Sequence, residues 1–251
     1  MNRGSRAVRV FEDSTAMDHA AAGLVTESCR DAVALQGRFT MALSGGITPR
    51  GLYRLLAEAP YRDRIDWTAV HLFWVDERSV PPDHRDSNYW LVDDLLLSHV
   101  PIPQRNVHRI RGENAPDRAA EDYEKELRDI FGTPVPVFDL VLLGMGEDGH
   151  TASLFPDRPA VDEAARLVVP VSGGPGGHQR VTLTLPVLDN ALLVLFLVTG
   201  RAKADAVAKI LEQGNPGRYP AGLVRSQNGK VQWFLDCAAA EGLNGFRKEC
   251  S

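Results

Sequence analysis

Cysteine is scarce in this chain: Cys29, Cys237 and Cys250 are the only three in 251 residues. They are widely spaced and odd in number, so neither a disulfide framework nor a metal knuckle is expected, and a reducing compartment is the simple inference. Positive charge is not in excess either. Lys and Arg total 28 against 33 Asp and Glu, a net charge of −5. That excludes a general basic surface for nucleic acid or anionic lipid; an anionic ligand would need a local cluster of Arg and Lys. Long apolar runs are missing. The longest, residues 191–198, is far too short to span a bilayer and reads as a buried strand. Residues 1–11 include basic side chains but no apolar leader core, so a cytoplasmic location is expected. No two histidines have ligand spacing, and no catalytic metal is predicted.

What is present is ordinary globular composition, 44% hydrophobic and 24% charged. The length fits one large α/β domain, taken here as residues 1–251. Strand-like runs at 8–11, 39–43, 70–75, 137–143, 181–185, 192–198 and 231–235 alternate with helical patterns at 14–35, 88–98, 116–131, 201–213 and 237–242. A further helix is predicted after residue 48, with Thr48 as its cap, Pro49 at its first position, and Leu52, Leu55, Leu56 and Ala59 as its buried stripe. Such alternation implies a mostly parallel sheet covered by helices on both faces.

One segment carries more information than any other: Gly144-Met145-Gly146-Glu147-Asp148-Gly149-His150-Thr151-Ala152-Ser153-Leu154-Phe155-Pro156. Its glycines fit the G-x-G-x-x-G dinucleotide fingerprint. The context argues against that reading. Glu147 and Asp148 would put negative charge where a pyrophosphate should lie, and the prolines at 156 and 159 prevent a long helix from following directly. His150 is the better focus. It follows Asp148 at the end of a buried strand, and an imidazole titrating near neutrality can take a proton from water while a carboxylate orients it.

Two other strand ends could share its site. Ser44-Gly45-Gly46-Ile47-Thr48-Pro49 reads either as a plain βα turn or as a backbone cradle for phosphate. It lacks the G-K-[ST] of a nucleotide triphosphate loop. Asp76-Glu77-Arg78 reads either as a strand's exit to solvent or as a site pairing. In the second case Asp76 lies near substrate hydroxyls or acts as an acid/base, and Arg78 clamps an anion. Lys203, after the strand end at Gly200, is either solvated or a phosphate contact; Arg180 is a further basic candidate. His71, inside a strand, reads as a core histidine. The Gly-rich stretch 172–177 reads as a mobile surface loop.

Taken in order, these motifs resemble the 6-phosphogluconolactonases, relatives of the glucosamine-6-phosphate deaminases. The likeness extends to Asp86-Ser87-Asn88-Tyr89, Arg180-Val181-Thr182-Leu183-Thr184 and Val231-Gln232-Trp233-Phe234-Leu235-Asp236. It implies a three-layer α/β/α fold with a mostly parallel, Rossmann-like sheet. It also implies hydrolysis of 6-phosphoglucono-1,5-lactone without a cofactor, by a monomer or small homo-oligomer. His150 would be the base, Asp148 or Asp76 would orient the imidazole or the sugar hydroxyls, and Ser44, Gly45, Gly46, Thr48, Arg78 and Lys203, with Arg180, would hold the phosphate. One departure is visible: Asp157 stands where the family commonly has glycine after Phe-Pro. Two alternatives remain, a deaminase or isomerase of glucosamine 6-phosphate and a non-catalytic sugar-phosphate sensor.

Overall fold

The computed structural model describes residues 6–174, 176–215, 218–227 and 229–245. Its strands are, in chain order, β1 Arg6–Phe11, β2 Phe39–Leu43, β3 Val70–Trp74, β4 Asp76–Arg78, β5 Val107–His108, β6 Leu140–Leu143, β7 Val168–Val171, β8 Arg180–Leu183, β9 Leu193–Val198 and β10 Lys230–Asp236. Seven of them form one sheet in the order β1-β10-β9-β6-β2-β3-β5, and every pairing in it is parallel. Helices on both faces complete the three layers. The sequence explains the arrangement. Phe39-Thr40-Met41-Ala42-Leu43 and Leu140-Val141-Leu142-Leu143 have no polar alternation, and all their residues are buried, as a strand covered on both sides requires.

Several helices fall where their end signals put them. Ser14–Gln36 starts where the Asp13 carboxylate accepts the Ala16 N–H at 2.8 Å, and stops at Gly37, whose φ of 76° only glycine adopts freely. Pro116–Phe131 begins on proline and ends at Gly132. The helices expected at 88–98 and 201–213 are shorter, running Asn88–Leu95 and Ala204–Leu211 with 3-10 turns beside them.

Other expectations need correction. Thr48 caps nothing: the helix runs Arg50–Ala57, Pro49 precedes it without a side-chain hydrogen bond, and the Thr48 hydroxyl lies 3.2 Å from that of Thr199. Leu52 and Leu56 are buried as predicted, but Ala59 lies past the helix end and is exposed, while Tyr53 is buried. Asp76-Glu77-Arg78 is not an exit to solvent. It is β4 of a second, antiparallel sheet ordered β4-β8-β7, with Asp76 opposite Thr182 and Arg78 opposite Arg180. β7 escapes sequence reading because Pro170 interrupts it, and as an edge strand it tolerates the missing N–H. His71 is half-buried, its Nδ1 3.1 Å from Nε2 of His108, whose Nδ1 is 2.8 Å from Glu126. Cys29 is a buried free thiol, whereas Cys237 is disulfide-bonded, against the expectation that no disulfide forms; Cys250 lies outside the described residues.

Candidate active site

Parallel strands place their following loops along one edge. There the loops after β2, β6 and β9 meet β4 and β8 around a cleft of about 540 Å³. Ligands in open α/β sheets bind at this carboxyl edge. Every site residue expected from the sequence lines the cleft except Asp148, which is hydrogen-bonded to His150.

The loop after β6 is tied to itself. Gly146 N–H donates to His150 O at 2.8 Å, and the Thr151 hydroxyl to Gly144 O at 2.8 Å. The glycine pattern now has a physical reason. A Cβ on Gly146 would fall 2.0 Å from His150 Nδ1, so the imidazole rests where a side chain would stand. Gly149 has φ +75° and is packed under Tyr219. Asp157 also takes the left-handed conformation, φ 58°, which Asp tolerates better than most residues.

Asp148 Oδ1 lies 2.6 Å from His150 Nδ1 and accepts the His150 backbone N–H at 3.1 Å. Burial pushes the Asp148 carboxyl up, but these hydrogen bonds outweigh it and hold the group below its ordinary value. An ionised carboxylate only accepts, so Nδ1 carries the proton and Nε2 is left as the basic nitrogen. Phe155 packs on the same ring, centroids 4.7 Å apart. Between the two candidate carboxylates, then, Asp148 contacts the imidazole.

Asp76 does different work. Buried at the start of β4, its carboxylate accepts Ser153 Oγ at 2.6 Å and Asn88 Nδ2 at 3.2 Å, with Arg180 3.9 Å away. Arg180 is itself buried and lies over the Phe155 ring at 5.5 Å. Burial lowers its pKa, Asp76 opposes the shift, and Arg78 adds to it. Two guanidinium groups close enough to feel each other's charge favour an anion between them. Gly174, from the Gly-rich stretch, lies against both Phe155 and Arg180; Pro175 of that stretch lies outside the described residues.

The loops after β2 and β9 add an amide-rich wall. Among the described residues, the N–H groups of Gly45, Gly46, Ile47 and Thr48 donate to no partner. Ser44 is more committed, its hydroxyl donating to Leu142 O at 2.7 Å. Thr199, joined to Thr48, and Lys203, in no ion pair among the described residues, complete this wall. Free amides beside an ammonium can hold a phosphate. Sequence reading missed Asn88, Thr199 and Phe155. Their positions depend on contacts across the fold, although Asn88 and Phe155 lie within motifs that carried the family resemblance. Among the described residues, no three His, Cys, Asp or Glu side chains could together hold a metal ion.

A family model described as glucosamine-6-phosphate isomerases/6-phosphogluconolactonase matches residues 12–233. The chain belongs to this family. The human 6-phosphogluconolactonase is 45% identical over 245 residues, covering 94% of this chain and 93% of its own length. That of Haemophilus influenzae is 42% identical, covering 81% and 87%. The solved 6-phosphogluconolactonase of Trypanosoma brucei superposes with a TM-score of 0.83 at 30% identity, over 96% of this chain and 99% of its own. A monomeric glucosamine-6-phosphate deaminase superposes at 0.78 with 22% identity, which shows a shared fold.

Proposed function

We propose that this chain hydrolyses 6-phospho-D-glucono-1,5-lactone to 6-phosphogluconate, the second step of the oxidative pentose phosphate pathway, through water activated by His150. The relatives named for that lactonase over nearly the whole chain support the reaction. The observation that carries the mechanism is the His150–Asp148 pair beside a cleft that Lys203 and amides without partners among the described residues also line.

His150 Nε2 takes a proton from water as its oxygen bonds to lactone C1. The carbonyl π electrons move onto oxygen, where loop amides or a guanidinium stabilise the charge. Collapse re-forms the carbonyl and breaks the bond from C1 to the ring oxygen, which receives the proton from imidazolium. Asp148 keeps the ring in the required tautomer. Phosphate held by residues 44–48, Arg78 and Lys203 fixes the reacting carbon, and binding energy remote from the chemistry lowers the barrier. We take the working unit to be one cytoplasmic sugar-phosphate-processing domain, monomeric or a small homo-oligomer. One large buried apolar cluster joining elements from both halves of the chain supports the single domain; no helix among the described residues is long and apolar enough to cross a membrane.

The test is acid release from freshly made 6-phosphogluconolactone, measured above the spontaneous rate, beside ammonia release from glucosamine 6-phosphate. Acceleration of the first alone is expected. Ammonia release without lactone hydrolysis would replace the lactonase by a deaminase, and tight binding without turnover by a sensor.

A further inference from the structure

We propose that Asn88 recognises substrate, its amide oxygen accepting a hydrogen bond from one ring hydroxyl of the sugar lactone; this rests on the lactonase reading above. Asn88 opens the helix Asn88–Leu95 and lines the cleft beside Gly45 and Asp76. Its Nδ2 donates to the Asp76 backbone oxygen at 2.9 Å and to Asp76 Oδ1 at 3.2 Å. Both partners only accept, so the amide has one possible orientation, nitrogen toward Asp76 and oxygen away from it. That oxygen lies against Gly45, where a Cβ would come within 1.8 Å of it. Among the described residues nothing donates to it, and although Asn88 is only 2% exposed this oxygen is not fully enclosed.

The segment carrying Asn88 is fixed from behind. Glu77 Oε1 accepts the N–H groups of Arg78 at 2.8 Å and Asn88 at 2.7 Å, and Oε2 accepts Ser87 Oγ at 3.0 Å and the Tyr89 N–H at 2.8 Å. Four donors on one buried carboxylate leave Asn88 little freedom to turn away. The chemistry of the ligand follows from the atom presented. An amide oxygen cannot donate, so it repels phosphate oxygens, which other parts of the cleft are equipped to meet. It selects a donor, and on a sugar lactone the donors are the hydroxyls.

Purified protein and Asn88→Ala are compared on 6-phosphogluconolactone and its 2-, 3- and 4-deoxy analogues, by acid release corrected for spontaneous hydrolysis. The unaltered enzyme is expected to disfavour one analogue by roughly tenfold in kcat/KM. Asn88→Ala is expected to lower the parent lactone by about the same factor and to leave that one analogue within about twofold. An equal fall on all four lactones, or no fall on the parent, overturns the assignment. So does an unaltered enzyme indifferent to all three deletions, a reading that needs no variant to fold. If the unaltered protein accelerates no lactone at all, the lactonase reading itself has failed and this assignment falls with it.

Discussion

The carboxyl edge of the parallel sheet and the small antiparallel sheet wall the same cleft with opposite kinds of group. From the loops after β2 and β9 come N–H groups without partners and an ammonium in no ion pair among the described residues. From β4 come carboxylates whose partners are already in place, Asp76 with Ser153 and Asn88, Glu77 with its four donors. The carboxyl edge of the parallel sheet keeps hydrogen-bonding capacity for a ligand; the β4 carboxylates spend theirs on holding shape. Alterations along the first should change rate or affinity and leave stability alone, whereas alterations at those carboxylates should change stability.

The largest effect tests the first half of that division. His150→Ala is expected to lower lactone turnover by about 10²-fold or more while the melting temperature hardly moves. Unchanged turnover removes His150 as the base, and a large drop in melting temperature breaks the division itself.

Next in size is a pH effect on stability at Glu77. Burial raises its pKa to about 7, against the hydrogen bonds from Asn88, Tyr89, Arg78 and Ser87 that favour its charged form. The folded chain therefore holds this proton more tightly than the unfolded chain. The stabilising contribution is complete below the ordinary carboxylate range and is lost as pH rises toward about 7. Replacing Glu77 by Gln should remove that slope, altering the pH dependence by on the order of 2 kcal/mol across the window, read from denaturant midpoints at pH 4.5 to 7.5. A difference between the two proteins that stays constant with pH would contradict it.

The smallest is at the amide wall. Lys203→Ala should raise KM for the phosphorylated lactone about tenfold with little change in kcat or melting temperature. Equal weakening toward an unphosphorylated lactone would show that Lys203 does not meet the phosphate.

Much of this was legible in the residues. Phe39–Leu43 and Pro116–Phe131 lie where apolar runs and end signals put them, and nearly all the expected site residues share one cleft. The second sheet was not legible. Asp76-Glu77-Arg78 is charged and three residues long, and only pairing with β8, far along the chain, makes it a strand. Local pattern cannot report a partner that distant. The same limit explains Thr48, whose hydroxyl meets Thr199 across the sheet edge, and Asn88, whose value comes from Asp76 and Gly45 on either side.

The place of β10 has a consequence for how such a molecule is made. It is the last of the described strands, yet it sits between β1 and β9, and among the described residues β1 has no other neighbour in the sheet. A ribosome therefore releases β1 long before anything exists for it to pair with. Asp236, at the end of β10, also accepts the Gly200 N–H through both oxygens, at 3.0 Å each, steadying the turn that leads to Lys203. That corner of the cleft gains its support only once β10 has been made, so a chain interrupted before β10 would carry His150, Asp148 and the Gly-rich loops without the strand that closes the sheet around them.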